Sequence, residues 1–389
     1  MATLAIWKSK VLLSNLSEGF KLAMKTSLDV LIAHNKLKAE AFLDEIDGKK
    51  PLFICTIATT ETAKIPGLSA AGQNPDFTDF TPPADAELLL LGKCKSIAGV
   101  PITPDGIPTP GLITMSALRL ADIPVVVVNG GVKVKPQIPY IELGGNSGRD
   151  IRTGDAVDNV EEVIERAKIA GEQLAKTSDY LVIGESIPGG TTTALGVLSA
   201  LGVNAEGKVS STLPENPHGL KAEVVKAGLK AAGEKFGSLA NNPIKAVSCV
   251  GDPMMPALAG LVIGAARQVP VLMAGGTQMT AVLAVINALN PEALCNVAVG
   301  TTRWVANDKN SDIKGIVTQF CDVPILAADL NFGPSKFPGL NIYETGLVKE
   351  GVGAGGASIA AMAKLGGAVN KDLLLKAIER NYSVLMAMK

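Results

Sequence analysis

Carboxylates set beside glycine-and-hydroxyl loops carry the chemistry open to this chain. At residues 181–200, LVIGESIPGGTTTALGVLSA, an apolar run from Leu181 to Ile183 meets Glu185, then Pro188-Gly189-Gly190, then Thr191, Thr192 and Thr193, then an Ala/Leu-rich run. The order predicts strand, loop and helix N-terminus. Glycines let the backbone approach a ligand, threonines cap the helix, and the free N–H groups of a helix start suit a phosphate. No Lys-Ser/Thr pair follows the glycines, so this is not a Walker loop and an ATPase reading loses its main support. Taken alone, the stretch reads equally as a tight strand-to-helix turn.

Four further stretches have chemistry that could share one site. Residues 274–280, AGGTQMT, repeat glycines then hydroxyls before a helix and make Gly276, Thr277 and Thr280 a second candidate anion cradle. Residues 208–221, KVSSTLPENPHGLK, offer Ser210, Ser211 and Lys221, the cation best placed to meet a phosphate. Residues 64–73 put Ser69 and Gln73 on a polar loop. Each of these is also readable as a turn, and lysines are usually solvated. In 348–358, VKEGVGAGGAS, Glu350 precedes glycines among apolar neighbours. Facing a closed apolar pocket, its pKa would rise toward neutrality and suit a general base; on the surface it would simply open a helix. Gly351, Gly353 and Gly356 match G-x-G-x-x-G, but a dinucleotide fingerprint needs a preceding strand and an acid about 20 positions on, and Asp372 falls in a helical pattern.

Positioning these groups requires elements that alternate. Apolar positions between 10 and 47 have mostly helical spacing and predict two amphipathic helices, ended by Asp47-Gly48 before a strand at 51–57. Strands are expected near 88–91, 125–128, 181–183, 246–250, 269–273, 296–299 and 324–326, and helices over 160–176 and 220–235. Runs such as VVVV lack alternation, which favours parallel strands buried on both faces. The result is a doubly wound α/β domain, with ligands beyond the carboxyl ends of its strands.

Composition agrees. Of 389 residues, 47% are hydrophobic and only 4% aromatic, with 41 glycines and 23 prolines as turn punctuation. A net charge of -1 and the lack of a basic stripe speak against nucleic acid or an anionic membrane as partner. Five dispersed cysteines read as reduced core thiols of a cytoplasmic protein. With His34 and His218 the only histidines, a histidine metal site or a Ser-His-Asp triad has almost no material, and His218 reads as an exposed loop residue. No signal peptide or membrane span is expected.

The motifs ESIPGGTTTALGVLSALGV, SSTLPENPHGLK, PVLMAGGTQMTAVLA and VKEGVGAGGAS, in this order and spacing, resemble those of the nicotinate-nucleotide:dimethylbenzimidazole phosphoribosyltransferases of cobamide assembly, most closely the archaeal and cyanobacterial-type branch. The resemblance runs from about residue 50 onward. It implies a Rossmann-like, mainly parallel sheet with a small helical domain built from both chain ends, divided as 1–50, 51–347 and 348–389. It implies Glu350 as the catalytic base, and Glu185 with Gly189, Gly190, Thr191 and Thr192 as the phosphate loop. Lys221 and Ser211 fall near the nucleotide phosphate, Gly276 with Thr277 or Thr280 on the second loop, and Ser69 on the base-binding loop. The chain departs from the family at Gly190, where asparagine is usual, and at Lys349, where glycine is usual. The aromatic part of the base-binding loop has no evident counterpart beyond Ser69.

The activity that this resemblance implies is transfer of the phosphoribosyl group of nicotinate mononucleotide to a benzimidazole or purine base by inversion, with no cofactor, no metal and a homodimeric assembly. Two other readings keep part of the same motifs: a nucleotide-binding regulatory protein without catalysis, and an NAD-dependent dehydrogenase using the 351–356 glycines.

Overall fold

The computed structural model describes residues 28–69, 75–99, 101–103, 106–213 and 215–387. Eight strands form a single sheet: β1 (Val30–His34), β2 (Pro51–Ala58), β3 (Val125–Gly131), β4 (Ile141–Glu142), β5 (Tyr180–Ser186), β6 (Val271–Ala274), β7 (Val297–Thr302) and β8 (Ile325–Ala328), in the order β1-β8-β7-β6-β5-β2-β3-β4. Every neighbouring pair is parallel except β1 on β8. The sheet is mixed but mostly parallel, and its central strands are apolar without alternation because helices cover both faces.

Alternate residues of those strands feed two cores. Ile54, Val128, Ile183, Met273 and Val299 face α4 (Val160–Ala175), α5 (Gly190–Ala200), α6 (His218–Ala231), α7 (Pro243–Val250), α8 (Met254–Ala265) and α9 (Gln278–Leu289). Phe53, Cys55, Val182, Leu272, Ala298 and Leu326 face α1 (Lys36–Ile46), α2 (Thr81–Leu91), α3 (Gly111–Leu120), α10 (Ala354–Lys364) and α11 (Lys371–Ala387). Among the described residues no helix is long and apolar enough to cross a membrane.

Three local expectations need correction. Residues 88–91 close helix α2 and residues 246–250 close helix α7 rather than forming strands. Leu88 and Leu89 of the first run and four of the five residues of the second are buried, and neither short run carries enough polar residues to show the helical period. Of the two helices expected over 10–47, residues 1–27 lie outside the described residues, 30–34 form edge strand β1, and only α1 is helical.

The chain reverses direction across the sheet at β2. From β2 it steps outward to β3, then returns to place β5 on the other side of β2 and marches through β6, β7 and β8. The crevice above the carboxyl ends of β2 and β5 is where this topology leaves room for a ligand.

The glycines at 351–356 have a packing role. A Cβ at Gly356 would lie 2.3 Å from Ala274 Cβ, and one at Gly355 would lie 2.0 Å from the Thr301 carbonyl carbon. Bare backbone lets α10 lie directly on β6 and β7. We expect Gly355→Ala to cost at least about 2 kcal/mol in urea unfolding, the range of overpacked cores, because backbone rather than a side chain would have to move.

Candidate active site

A cavity of about 630 Å³ opens at this switch point, walled by the end of β5, helix α2, Gln278 at the start of α9 and the segment leading into α10. Glu350, Glu185, Gly189, Gly190, Thr191, Ser211 and Ser69 all line it. The late carboxylate and the first glycine loop therefore converge on one space. Gly276 lies close by: a Cβ there would be 3.2 Å from Gln278 Oε1 and 3.7 Å from the Glu350 side chain. Gln73 lies outside the described residues.

Helix α5 starts without a threonine cap. Its N-cap is Gly189 at φ 78°, and a Cβ there would meet the Ala63 backbone at 3.0 Å. Thr191 Oγ1 instead accepts from Lys221 Nζ at 3.1 Å, Thr193 Oγ1 donates to Asp252, and Thr192 is buried one layer back from the cavity. Thr277 Oγ1 accepts the Ser210 N–H at 2.9 Å, and Thr280 Oγ1 donates to the Thr277 carbonyl at 2.6 Å. Both hydroxyls are spent holding the Ser210 loop and their own helix, and neither reaches the cavity wall.

Three groups at the site are displaced toward neutrality. Glu350 sits ahead of α10; burial pushes its pKa up to about 7, against the N–H groups of Gly351 and Gly355 that favour the anion. Thr301 Oγ1 approaches it at 3.4 Å. Glu185 is pushed well above the carboxylate range, first by burial and further by the nearby Glu350 charge, while Gln278 Nε2 and the Ile187 N–H donate to it. Lys221 is fully enclosed and donates to Thr191 and, at 2.6 Å, to the Ser210 carbonyl. Burial and then the Lys349 charge lower its pKa to about 7. His218 is a half-buried residue at the start of α6, not an exposed loop residue, with Nε2 at 3.1 Å from the Asn310 carbonyl.

Several contributors carry no motif signal. Lys349 is buried and paired with buried Asp308 at 2.6 Å. Removing one partner strands the other charge, so Asp308→Ala is expected to lose about 3 to 5 kcal/mol in urea unfolding, and the Lys349→Met/Asp308→Leu pair to recover most of it. Phe77 and Phe80, ring centroids 6.0 Å apart, join Ser69 on the wall. Their segment is tied down by Lys64, whose Nζ meets both Glu61 and Asp79 at 2.9 Å. Asp85, on α2, also faces the cavity.

Known proteins resemble this chain closely. UPF0284 proteins share 47% identity in Archaeoglobus fulgidus, over 89% of this chain and 97% of that one, and 46% in Sulfolobus acidocaldarius, over 89% and 99%. The one from Methanosarcina mazei is 49% identical over 80% of this chain and 89% of its own length. The chain belongs to the UPF0284 family.

Residues 113–303 of this UPF0284 protein match the family model DBI_PRT, described as phosphoribosyltransferase, which makes the chain a phosphoribosyltransferase of that family. The matched span carries β3, β5, β6 and both glycine loops. At the level of fold, the UPF0284 chain is similar to CobT from Thermus thermophilus, with a TM-score of 0.54, 18% identity, and coverage of 90% of this chain and 92% of that one. A nicotinate-nucleotide-dimethylbenzimidazole phosphoribosyltransferase structure from the same organism gives 17% identity at a TM-score of 0.54, covering 90% and 91%.

Proposed function

We propose that this UPF0284 protein moves the 5-phosphoribosyl group of nicotinate mononucleotide to a benzimidazole or purine base, giving nicotinate and an α-ribotide that serves as the lower ligand of cobamides. The observation that carries the reading is Glu350, a carboxyl poised near neutrality on the wall of the same cavity as the Gly189–Thr191 loop. The nucleotide phosphate would rest at the start of α5, where free N–H groups and Lys221 offer positive charge. Nicotinate leaves C1′ with the glycosidic electron pair, an azole nitrogen of the accepting base attacks C1′ from the opposite face, and Glu350 takes the proton from the ring's other nitrogen. Glu185, held protonated by burial on the same wall, would donate a hydrogen bond to the bound nucleotide. The two aromatics beside Ser69 suit a planar acceptor. Inversion calls for no covalent enzyme intermediate, and orientation inside a closed cavity supplies much of the rate.

By the same resemblance the protein is a homodimer, which sedimentation of the purified chain would test, and its dispersed cysteines suit the cytoplasm. The decisive experiment incubates it with nicotinate mononucleotide and a panel of benzimidazoles, purines and phenols, tracking nicotinate by chromatography and the new ribotide by mass. Tight mononucleotide binding with no nicotinate released by any base would overturn the proposal.

A further inference from the structure

The transfer mechanism leaves one buried carboxylate of the cavity without a task. Asp85 is almost fully enclosed, and it lies one helical turn beyond Thr81 on α2, so both face the cavity together with the preceding Phe77 and Phe80. Its Oδ2 accepts from Ser186 Oγ at 2.7 Å and its Oδ1 from Thr109 Oγ1 at 2.8 Å. Thr109 Oγ1 also accepts the Gly111 N–H at 3.2 Å, so its own proton is committed to Asp85. No ion pair to Asp85 exists among the described residues, although burial holds its pKa up at about 6. A carboxylate has about four lone-pair directions, and two are used by the hydroxyls. The remainder are left for whatever fills the space.

We propose that Asp85 selects the accepting base, favouring a planar heteroaromatic ring that carries a hydrogen-bond donor such as an exocyclic amino group over one whose corresponding edge is only hydrocarbon. This deepens, and rests on, the reading of the cavity as a phosphoribosyl-transfer site. With the cavity open, both Asp85 oxygens keep their hydroxyl donors. A docked ring with an amino group adds a hydrogen bond to the remaining lone pairs, whereas a methylated or bare ring sets hydrocarbon against a buried charge whose acceptor capacity is only half used. Rejection of a ligand that cannot satisfy a buried polar group is a stronger filter than the attraction of one that can. The two hydroxyls fix the carboxylate plane from strand β5 and from the Thr109 turn, so the donor must arrive in that plane.

The test is a competition in which the whole chain is given nicotinate mononucleotide with equal adenine and benzimidazole, alongside calorimetric binding of each base to the chain without donor. Wild type is expected to favour adenine in both. Asp85→Asn, which keeps the shape and can still engage both hydroxyls, is expected to shift the ratio toward benzimidazole by about 10- to 100-fold, the worth of a hydrogen bond to a charged group. A wild-type protein that prefers benzimidazole overturns the assignment however the variant folds. So does an equal loss with both bases, which would put Asp85 on the shared donor. If no base releases nicotinate, the transfer reading fails and the calorimetric ratio still decides whether Asp85 discriminates between the rings.

Discussion

Glu350→Gln is expected to lower turnover by roughly 10²- to 10⁴-fold while mononucleotide binding survives, because the amide keeps the shape and loses only the ability to take a proton. Equal loss of binding and turnover, measured by calorimetry and by nicotinate release, would mark Glu350 as a structural group instead. The acid limb of the pH profile should also belong to this residue. With its pKa raised to about 7 by burial, the carboxyl is ionised and basic only above that point, so kcat/KM rises with pH toward about 7 in the wild type and loses that limb in the variant. Stability moves the other way. A carboxyl whose folded pKa exceeds its ordinary value of 4.5 favours the folded state below 4.5, and that contribution is lost as pH rises through about 7. The glutamine, a permanent mimic of the protonated acid, should therefore unfold at higher temperature than wild type above pH 7 and at the same temperature near pH 4.

Lys221→Met is expected to weaken mononucleotide binding by about 10- to 100-fold, the usual worth of a hydrogen bond to a charged group, with little effect on the folded structure. The enclosed amine lies behind the α5 start, held there by Thr191, which lines the cavity, and by the Ser210 carbonyl. Its pKa near 7 means that it must gain a proton to meet a phosphate, so wild-type affinity should fall with increasing pH between about 7 and 9 and the methionine variant should lose that slope. Folded lysine with a depressed pKa favours the native state above the ordinary value of 10.5, and this is lost as pH falls through about 7. The methionine variant should accordingly gain most stability over wild type below pH 7. Unchanged binding across that window would place the phosphate elsewhere.

Much of this arrangement was legible in the sequence, and the exceptions share a cause. The strand-glycine-hydroxyl-helix order at 181–200 needs only local rules, and it folds as expected at β5 and α5. Glu350 and Lys221 were singled out because motif order fixed their neighbours. Asp85 was not, since LLLL at 88–91 reads as a strand and hides the helix that aims it; its partners Thr109 and Ser186 are 24 and 101 residues away. The same distance problem conceals the pairing of Lys349 with Asp308 and the role of Phe77 and Phe80, which depends on the Lys64 ties. Thr277 and Thr280 mark the reverse error: right residue types at a helix start, but hydroxyls turned inward to hold a loop.

The segment that presents Glu350 carries a further implication. Val348 and Val352 adopt φ of 49° and 54°, backbone settings that branched side chains strongly disfavour, on either side of the carboxylate. The strain costs of order 1 to 3 kcal/mol per residue, and it is held in place by the seating of the following helix on the sheet. Such a segment is spring-loaded: loosening the seat anywhere along the helix gives it a lower-energy shape to fall into. Lesions far from the substrate should then silence the protein well before they melt it, so that heat-inactivation curves run ahead of unfolding curves.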